Sequence, residues 1–160
     1  MSEENAVKEL QARLDGVLES LLHAVGGSRC TLRIDDDGRG WHVDFICAEA
    51  TLPGVKSLRN DGSIDQRAAD TVRWLALHKR NLVQPDLTIS VDPKPPAALM
   101  SAYAAKAQML APLLDRDGEL GGWVSVHYTD GPRPLSAQDE AVLNRAAEEV
   151  AGLTGLNAAR

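Results

Sequence analysis

The block 107–129 constrains this chain most. Two runs, 107–114 and 120–129, flank the turn sequence Asp115-Arg116-Asp117-Gly118 and read as an antiparallel hairpin. Along the second run, alternation puts Trp123, Ser125, His127 and Thr129 on one face and Val124, Val126 and Tyr128 on the other. A helix follows. Ser136 is its N-cap, Asp139 and Glu140 favour the positive helix end, and Leu143, Ala146, Val150 and Leu153 form its apolar stripe. If helices cover one face of the sheet, the Val124, Val126 and Tyr128 side is apolar enough to receive them. The opposite side is mixed, like the wall of a ligand site.

The start of the chain reads as another helix. Val7, Leu10, Leu14, Val17 and Leu21 step by threes and fours, the rhythm of a coiled-coil seam, with Ser2 as cap and Gly26-Gly27 as stop. Two readings stay open: a helix packed on its own domain, or a seam shared with a second chain. Next comes a predicted hairpin, 29–35 and 41–48, around the turn run Asp35 to Gly40. Cys30, Leu32 and Ile34 share one face of its first strand, with Arg29, Thr31 and Arg33 on the other. The second strand would align Trp41, Val43, Phe45 and Cys47. Ser63-Ile64-Asp65-Gln66 reads as a capping box opening a middle helix, striped by Ile64, Ala68, Val72 and Leu75. Trp74 and Leu77 lie opposite that stripe, as in a helix covered on two sides. A short strand over 82–89, broken by Pro85, leads into an irregular stretch at 91–105, where Pro96 can open a short helix.

Composition narrows the function classes. The 160 residues are 44% hydrophobic and 25% charged, ordinary for a globular chain. Asp and Glu number 23 against 17 Lys and Arg, a formal charge of −6, which argues against nucleic acid or an anionic membrane as partner. No apolar run spans a bilayer and the acidic start is no signal peptide, so a cytoplasmic location is expected. Two cysteines, Cys30 and Cys47, build no disulfide framework. Both sit on the more apolar strand faces, where cysteine acts as a small hydrophobe rather than a nucleophile. His23, His42, His78 and His127 lack metal-ligand spacing, so no metal is expected, and Walker, nucleophile-elbow and dinucleotide motifs are absent.

The last third resembles a GAF domain. The residues that carry the likeness are Leu110-Ala111-Pro112-Leu113-Leu114, Gly121-Gly122-Trp123-Val124-Ser125-Val126-His127, and Pro132-Arg133-Pro134-Leu135-Ser136-Ala137-Gln138-Asp139. The upstream order of elements fits over nearly the whole chain. The resemblance implies an α+β, profilin-like antiparallel sheet with both terminal helices on one face and a middle helix plus irregular roof over a small-molecule pocket on the other. As one domain over 1–160, it divides into the helix at 1–27, the sheet and pocket at 28–135 and the terminal helix at 136–156. It also implies a homodimer through the terminal helices. Because the chain ends at Arg160, output is expected on a separate protein partner.

The expected function is therefore a stand-alone sensor binding a small organic ligand, with cofactor unknown. The alternatives are a small enzyme using His127 or Tyr103 as acid or base, and a pocketless interaction module filled by Trp74 and Met109. Candidate ligand contacts are Asp86, Tyr103, Lys106, Ser125 and His127, with Trp74 and Trp123 as apolar walls. Arg33 and His42, on the less apolar strand faces, are expected in solvent, the alternative being that they meet an anion in the pocket. A histidine stands where His127 falls in bilin-binding members, but their Asp-Ile-Pro segment has no counterpart here, nor has the Asn-Lys-Phe-Asp-Glu signature of cyclic-nucleotide members.

Overall fold

A computed structural model describes residues 2–159. Helix α1 (Glu3–Val25) starts where Ser2 Oγ accepts from Asn5 N, and stops at Gly26, whose φ of 62° is the left-handed conformation glycine adopts without strain. Helix α4 (Ala137–Thr154) starts on a reciprocal capping box between Ser136 and Asp139. Strands β1 (Arg29–Ile34), β2 (Ala48–Thr51), β3 (Leu82–Gln84), β4 (Ala107–Leu114), β5 (Leu120–Tyr128) and β6 (Asn157–Ala158) form one antiparallel sheet. Its order is β2-β1-β5-β4-β3, with β6 also paired to β4. The terminal strand β6 has no signal in the sequence.

Pleating divides the sheet as the alternation predicts. Cys30, Leu32 and Ile34 of β1, Met109 and Leu113 of β4, and Val124 and Val126 of β5 pack under Leu14, Leu18, Leu22, Leu143 and Val150 of the terminal helices. Leu14 and Leu21 of the heptad seam are buried in this same core, so the seam packs on its own domain. Tyr128 joins this layer, its hydroxyl donating to Val25 O at 3.0 Å. The opposite face carries Arg29, Thr31, Arg33, Glu49, Gln84, Gln108, Ser125 and His127, every one of them buried. Helix α2 (Asp70–His78), the short helix α3 (Ala97–Ser101) and the loops around them roof this second face.

Three local expectations change. The run 41–48 is not a strand: after a 3₁₀ turn at Asp37–Arg39 only Trp41 pairs back, in a single bridge to Asp36, and strand pairing resumes at Ala48. Asp35 Oδ1 accepts from Val43 N at 2.8 Å and His42 Nδ1 from Asp44 N at 3.1 Å, offering the backbone partners other than a ladder. Trp41, Val43, Phe45 and Cys47 consequently share no face. Trp41 and Cys47 enter the helix-side core, Val43 enters the roof-side core, and Phe45 stays half exposed. The predicted capping box at Ser63 does not form either. Asp61 takes the Ser63 amide and hydroxyl, while Asp44 takes the Gln66 amide, so α2 opens only at Asp70. Finally, α2 is not covered on two sides. Val72 and Leu75 are buried, but Leu77 is 77% exposed.

Candidate functional site

Between the roof and the polar sheet face lies a cavity of about 30 Å³, more than the roughly 10–15 Å³ that one water needs. Its floor is Thr31, Arg33, Gln108, Leu110, Trp123, Ser125 and His127. Leu58, Ile64 and Gln66 from the long loop, Thr71 and Val72 from α2, and Pro96 and Leu99 beside α3 complete it. Three of the expected ligand contacts thus line one space: Trp123, Ser125 and His127. The other four do not. Asp86 is spent on a turn, accepting from the Thr88 amide and hydroxyl. Tyr103 packs with Leu58, Leu87, Leu99 and Ala105 in a satellite core and gives its hydroxyl to Asp61. Lys106 joins neighbouring strand ends through its backbone and does not line the cavity. Trp74 is half-buried against the roof-side core, beside His78 and under Arg80, and does not line the cavity.

Arg33 is the main correction. Expected in solvent, it is 4% exposed and lines the cavity, because the roof covers β1 as well as β5. His42 does stay exposed. Burial lowers the Arg33 guanidinium to about 10, with Asp44 and Asp61 acting in the opposite sense, so it remains charged near neutral pH. The neighbouring Arg29 is fully buried and uses all three of its nitrogen positions. Nε donates to His127 Nδ1 at 3.0 Å, Nη1 to Lys56 O at 2.8 Å and Nη2 to Tyr103 O at 3.0 Å. Lys56 and Tyr103 belong to the roof, so Arg29 ties the roof to the sheet.

Accepting from Arg29 through Nδ1 leaves the neutral His127 ring with its proton on Nε2. Burial, then the charges of Arg29 and Arg33, push this imidazole well below its usual 6.5. It is a neutral group at pH 7. Burial raises both thiols, Cys47 to about 12, and both cysteines belong to the helix-side core rather than to the cavity. Among the described residues no cluster of His, Cys, Asp and Glu is placed to hold a metal.

A second tie runs from the roof around the sheet edge to α1. Glu49, 7% exposed on edge strand β2, accepts from the Ser57 hydroxyl and, at 2.7 Å, from Leu58 N. Leu58 is the residue whose side chain lines the cavity. Arg59 reaches over the edge, donating to Asp15 on α1 at 2.9 Å and to Glu49 O at 3.2 Å. Asp15 also accepts from Glu49 N at 2.9 Å, and Gln11 of α1 donates to Cys47 O. Helix α1 thereby occupies the open edge of β2, which otherwise presents unpaired backbone groups.

This arrangement, with terminal helices under the sheet and a roofed cavity above it, matches a family model for the GAF domain over residues 9–152. The chain belongs to the GAF family. No curated protein matches it. Solved GAF structures superpose at low identity. One is the cyanobacteriochrome receptor PixJ in dark and steady-state illuminated forms, at 16% identity and a TM-score of 0.72, covering 95% of this chain and 97% of that one. Another is the GAF region of a membrane protein of Geobacter sulfurreducens, at 16% identity and 0.71, covering 94% and 96%. A third is a far-red absorbing dark state, JSC1_58120g3, with bound biliverdin, at 15% and 0.65, covering 95% and 97%. The fold is common to all of them.

The sequence reading misses Thr31, Gln108 and the roof residues Leu58 and Gln66, and holds a pocket role for Arg33 only as the lesser alternative. Alternation places Thr31 and Arg33 on the same face as Ser125, so the strand pattern held the signal for those two. The roof residues come from irregular loops with no local signature.

Proposed function

We propose that this GAF domain is a sensor that binds a small molecule in the cavity and reports its occupancy to a partner through α1. The observation that carries the reading is a small, partly open cavity bordered by buried polar and apolar side chains, whose roof is fastened to α1 through Leu58, Glu49, Arg59 and Asp15. At about 30 Å³ the space is filled by anything larger than a few atoms, so a ligand and the roof in its present position compete for room. Ligand binding favours a roof position displaced at Leu58, and the polar strap transmits that position to α1. The shift can be no larger than the ligand's preference for one position over the other.

The partner reads the outer surface of the terminal helices, where Val17, Ala24 and Val142 flank a shallow groove between α1 and α4. A second copy of the chain is the partner most simply accommodated there. Binding is favoured over catalysis because the candidate acid–base groups are already committed. His127 is neutral and held by Arg29, and the Tyr103 hydroxyl is held by Asp61. The biliverdin of the structural neighbour does not transfer: the cavity is far too small for a tetrapyrrole, and no cysteine lines it.

The test is a thermal-shift screen of metabolites, followed by hydrogen exchange on any compound that binds. A rise in melting temperature together with altered exchange around Gln11 and Asp15 supports the sensor. A well-folded protein that no compound stabilises overturns it.

A further inference from the structure

Exposed arginines such as Arg13 and Arg145 make no ion pair among the described residues and stand in solvent, so the arginines that bear on the site are the paired ones and the buried ones. Arg39, Arg59, Arg67 and Arg133 each meet a carboxylate within 4.0 Å. Arg29 and Arg33, on the buried sheet face, meet none. Arg29 uses its donors on two carbonyls and His127. Arg33 donates a single bond, from Nη1 to Val43 O at 2.9 Å. The acidic groups that act on it, Asp44, Asp61 and Glu49, stand outside ion-pair distance.

The hydroxyls of Thr31, Thr71 and Ser125 likewise make no side-chain hydrogen bond among the described residues. All three residues are at most 3% exposed and all line the cavity. Yet no fully enclosed polar side-chain atom among the described residues lacks a partner. The spare N–H groups of Arg33 and these hydroxyls are therefore not fully enclosed, and the cavity is the space their residues share. His127, with its proton on Nε2, adds another donor-bearing ring, and no Asp or Glu lines the space. A buried cation with forked donors to spare, ringed by hydroxyls and free of carboxylates, is complementary to one chemistry.

We propose that the cavity binds a compact oxyanion, a short carboxylate in the first instance, with the carboxylate on Arg33 and the hydroxyls of Ser125 and Thr31 completing its hydrogen bonds. This rests on reading the cavity as the ligand site. Size and charge act together. Compact anions are the occupants that enter with least displacement of Leu58 and Leu99, and they neutralise a charge that the fold leaves without a contact partner.

The experiment titrates the intact protein with sodium acetate and sodium formate, against acetamide as neutral isostere and sodium chloride as ionic-strength control. The readouts are melting temperature and the ¹⁵N resonance of the Trp123 indole, which lines the cavity. Acetate or formate is expected to bind at least about tenfold tighter than acetamide, a charge-assisted hydrogen bond being worth that much. Arg33→Gln, with an unchanged far-UV spectrum, is expected to lose at least about tenfold in acetate affinity. If Arg33→Gln fails to fold, Ser125→Ala carries the test, with an expected loss of about threefold or more.

Nitrate and sulfate distinguish the source of the anion: a response to nitrate alone keeps the oxyanion site and assigns it to an inorganic ion. Equal binding of acetate and acetamide overturns the anion site, as does full acetate affinity in a folded Arg33→Gln or, failing that, in Ser125→Ala. Stabilisation by neutral or cationic metabolites alone also overturns it, while leaving the sensor intact. No response to any compound, charged or neutral, removes both.

Discussion

On the face of the sheet that carries the terminal helices, Cys30, Leu32, Ile34, Met109, Leu113, Val124 and Val126 meet other apolar groups, and the Tyr128 hydroxyl has a single carbonyl to satisfy. On the face beneath the roof, Arg29, Thr31, Arg33, Glu49, Gln108, Ser125 and His127 are buried to a similar degree. The first face is held by burial, which is non-directional and tolerates repacking. The second depends on particular bonds, each buried donor or acceptor being costly when its partner is lost. A face built for stability alone has no reason to bury two guanidiniums. The roof side is therefore where the fold accepts instability, as the proposed ligand site requires.

The largest expected difference between the faces follows from Arg29. Arg29→Met removes the partner of the buried Tyr103 carbonyl, of the partly buried Lys56 carbonyl and of His127 Nδ1, and is expected to cost about 3–5 kcal/mol. Met109→Leu, equally buried on the helix side, is expected to cost less than about 1.5 kcal/mol. Urea denaturation of both variants measures the contrast, and similar losses would break it.

Backbone spacing gives a smaller but sharper test. A Cβ on Gly122 would stand 2.3 Å from Arg33 O, in the tight crossing that sets Arg33 beside Trp123. Gly122→Ala is expected to destabilise by about 1–3 kcal/mol. Gly152, in α4 with nothing within 4 Å, is expected to gain about 0.5–1 kcal/mol as alanine. A Gly122→Ala variant as stable as the parent would show that β1 and β5 can spread, and that the roof face is softer than described.

The same contrast explains what was legible in the sequence. The hairpin of β4 and β5 and the helices α1 and α4 are written in local periodicity, since burial of one face imposes a period on each segment. Residues 41–47 and the start of α2 are not, because side chains of Asp35, Asp44 and Asp61 compete for the backbone groups from a distance. At the site, Trp123, Ser125 and His127 are readable from a strand whose faces differ in polarity. Arg33 obeys the same alternation, but its charge reads as solvent-facing unless the roof is known. Asp86 and Tyr103 have chemistry that suits a ligand. In the folded chain a turn takes the first and Asp61 takes the second.

Acid should weaken the protein through the roof face. The folded His127 titrates well below 6.5, whereas the unfolded one titrates near it. Below about pH 6.5 the unfolded state thus binds a proton that the folded state refuses, and stability falls by up to about 1.4 kcal/mol per pH unit. Above that pH the contribution is fully present. Melting between pH 7 and pH 5 should show this slope, and His127→Asn, which keeps an acceptor for Arg29, should flatten it. A parent protein with no slope would mean that the imidazole is reached by water.

The smallest effect on stability should come from the strap that joins the two faces, and it is the most informative about function. Arg59 is 45% exposed in its side chain and meets Asp15 at the protein surface, so Arg59→Ala should cost no more than about 1 kcal/mol. It nevertheless removes a bond from the roof to α1 while leaving Arg33, Ser125 and the cavity lining untouched. Ligand affinity should therefore persist in Arg59→Ala while the ligand-dependent change in hydrogen exchange around Asp15 shrinks. If affinity and the α1 response both survive, the signal leaves the roof by another way, through Arg29 and the sheet itself. In that case the two faces communicate through β1 rather than around its neighbour's edge.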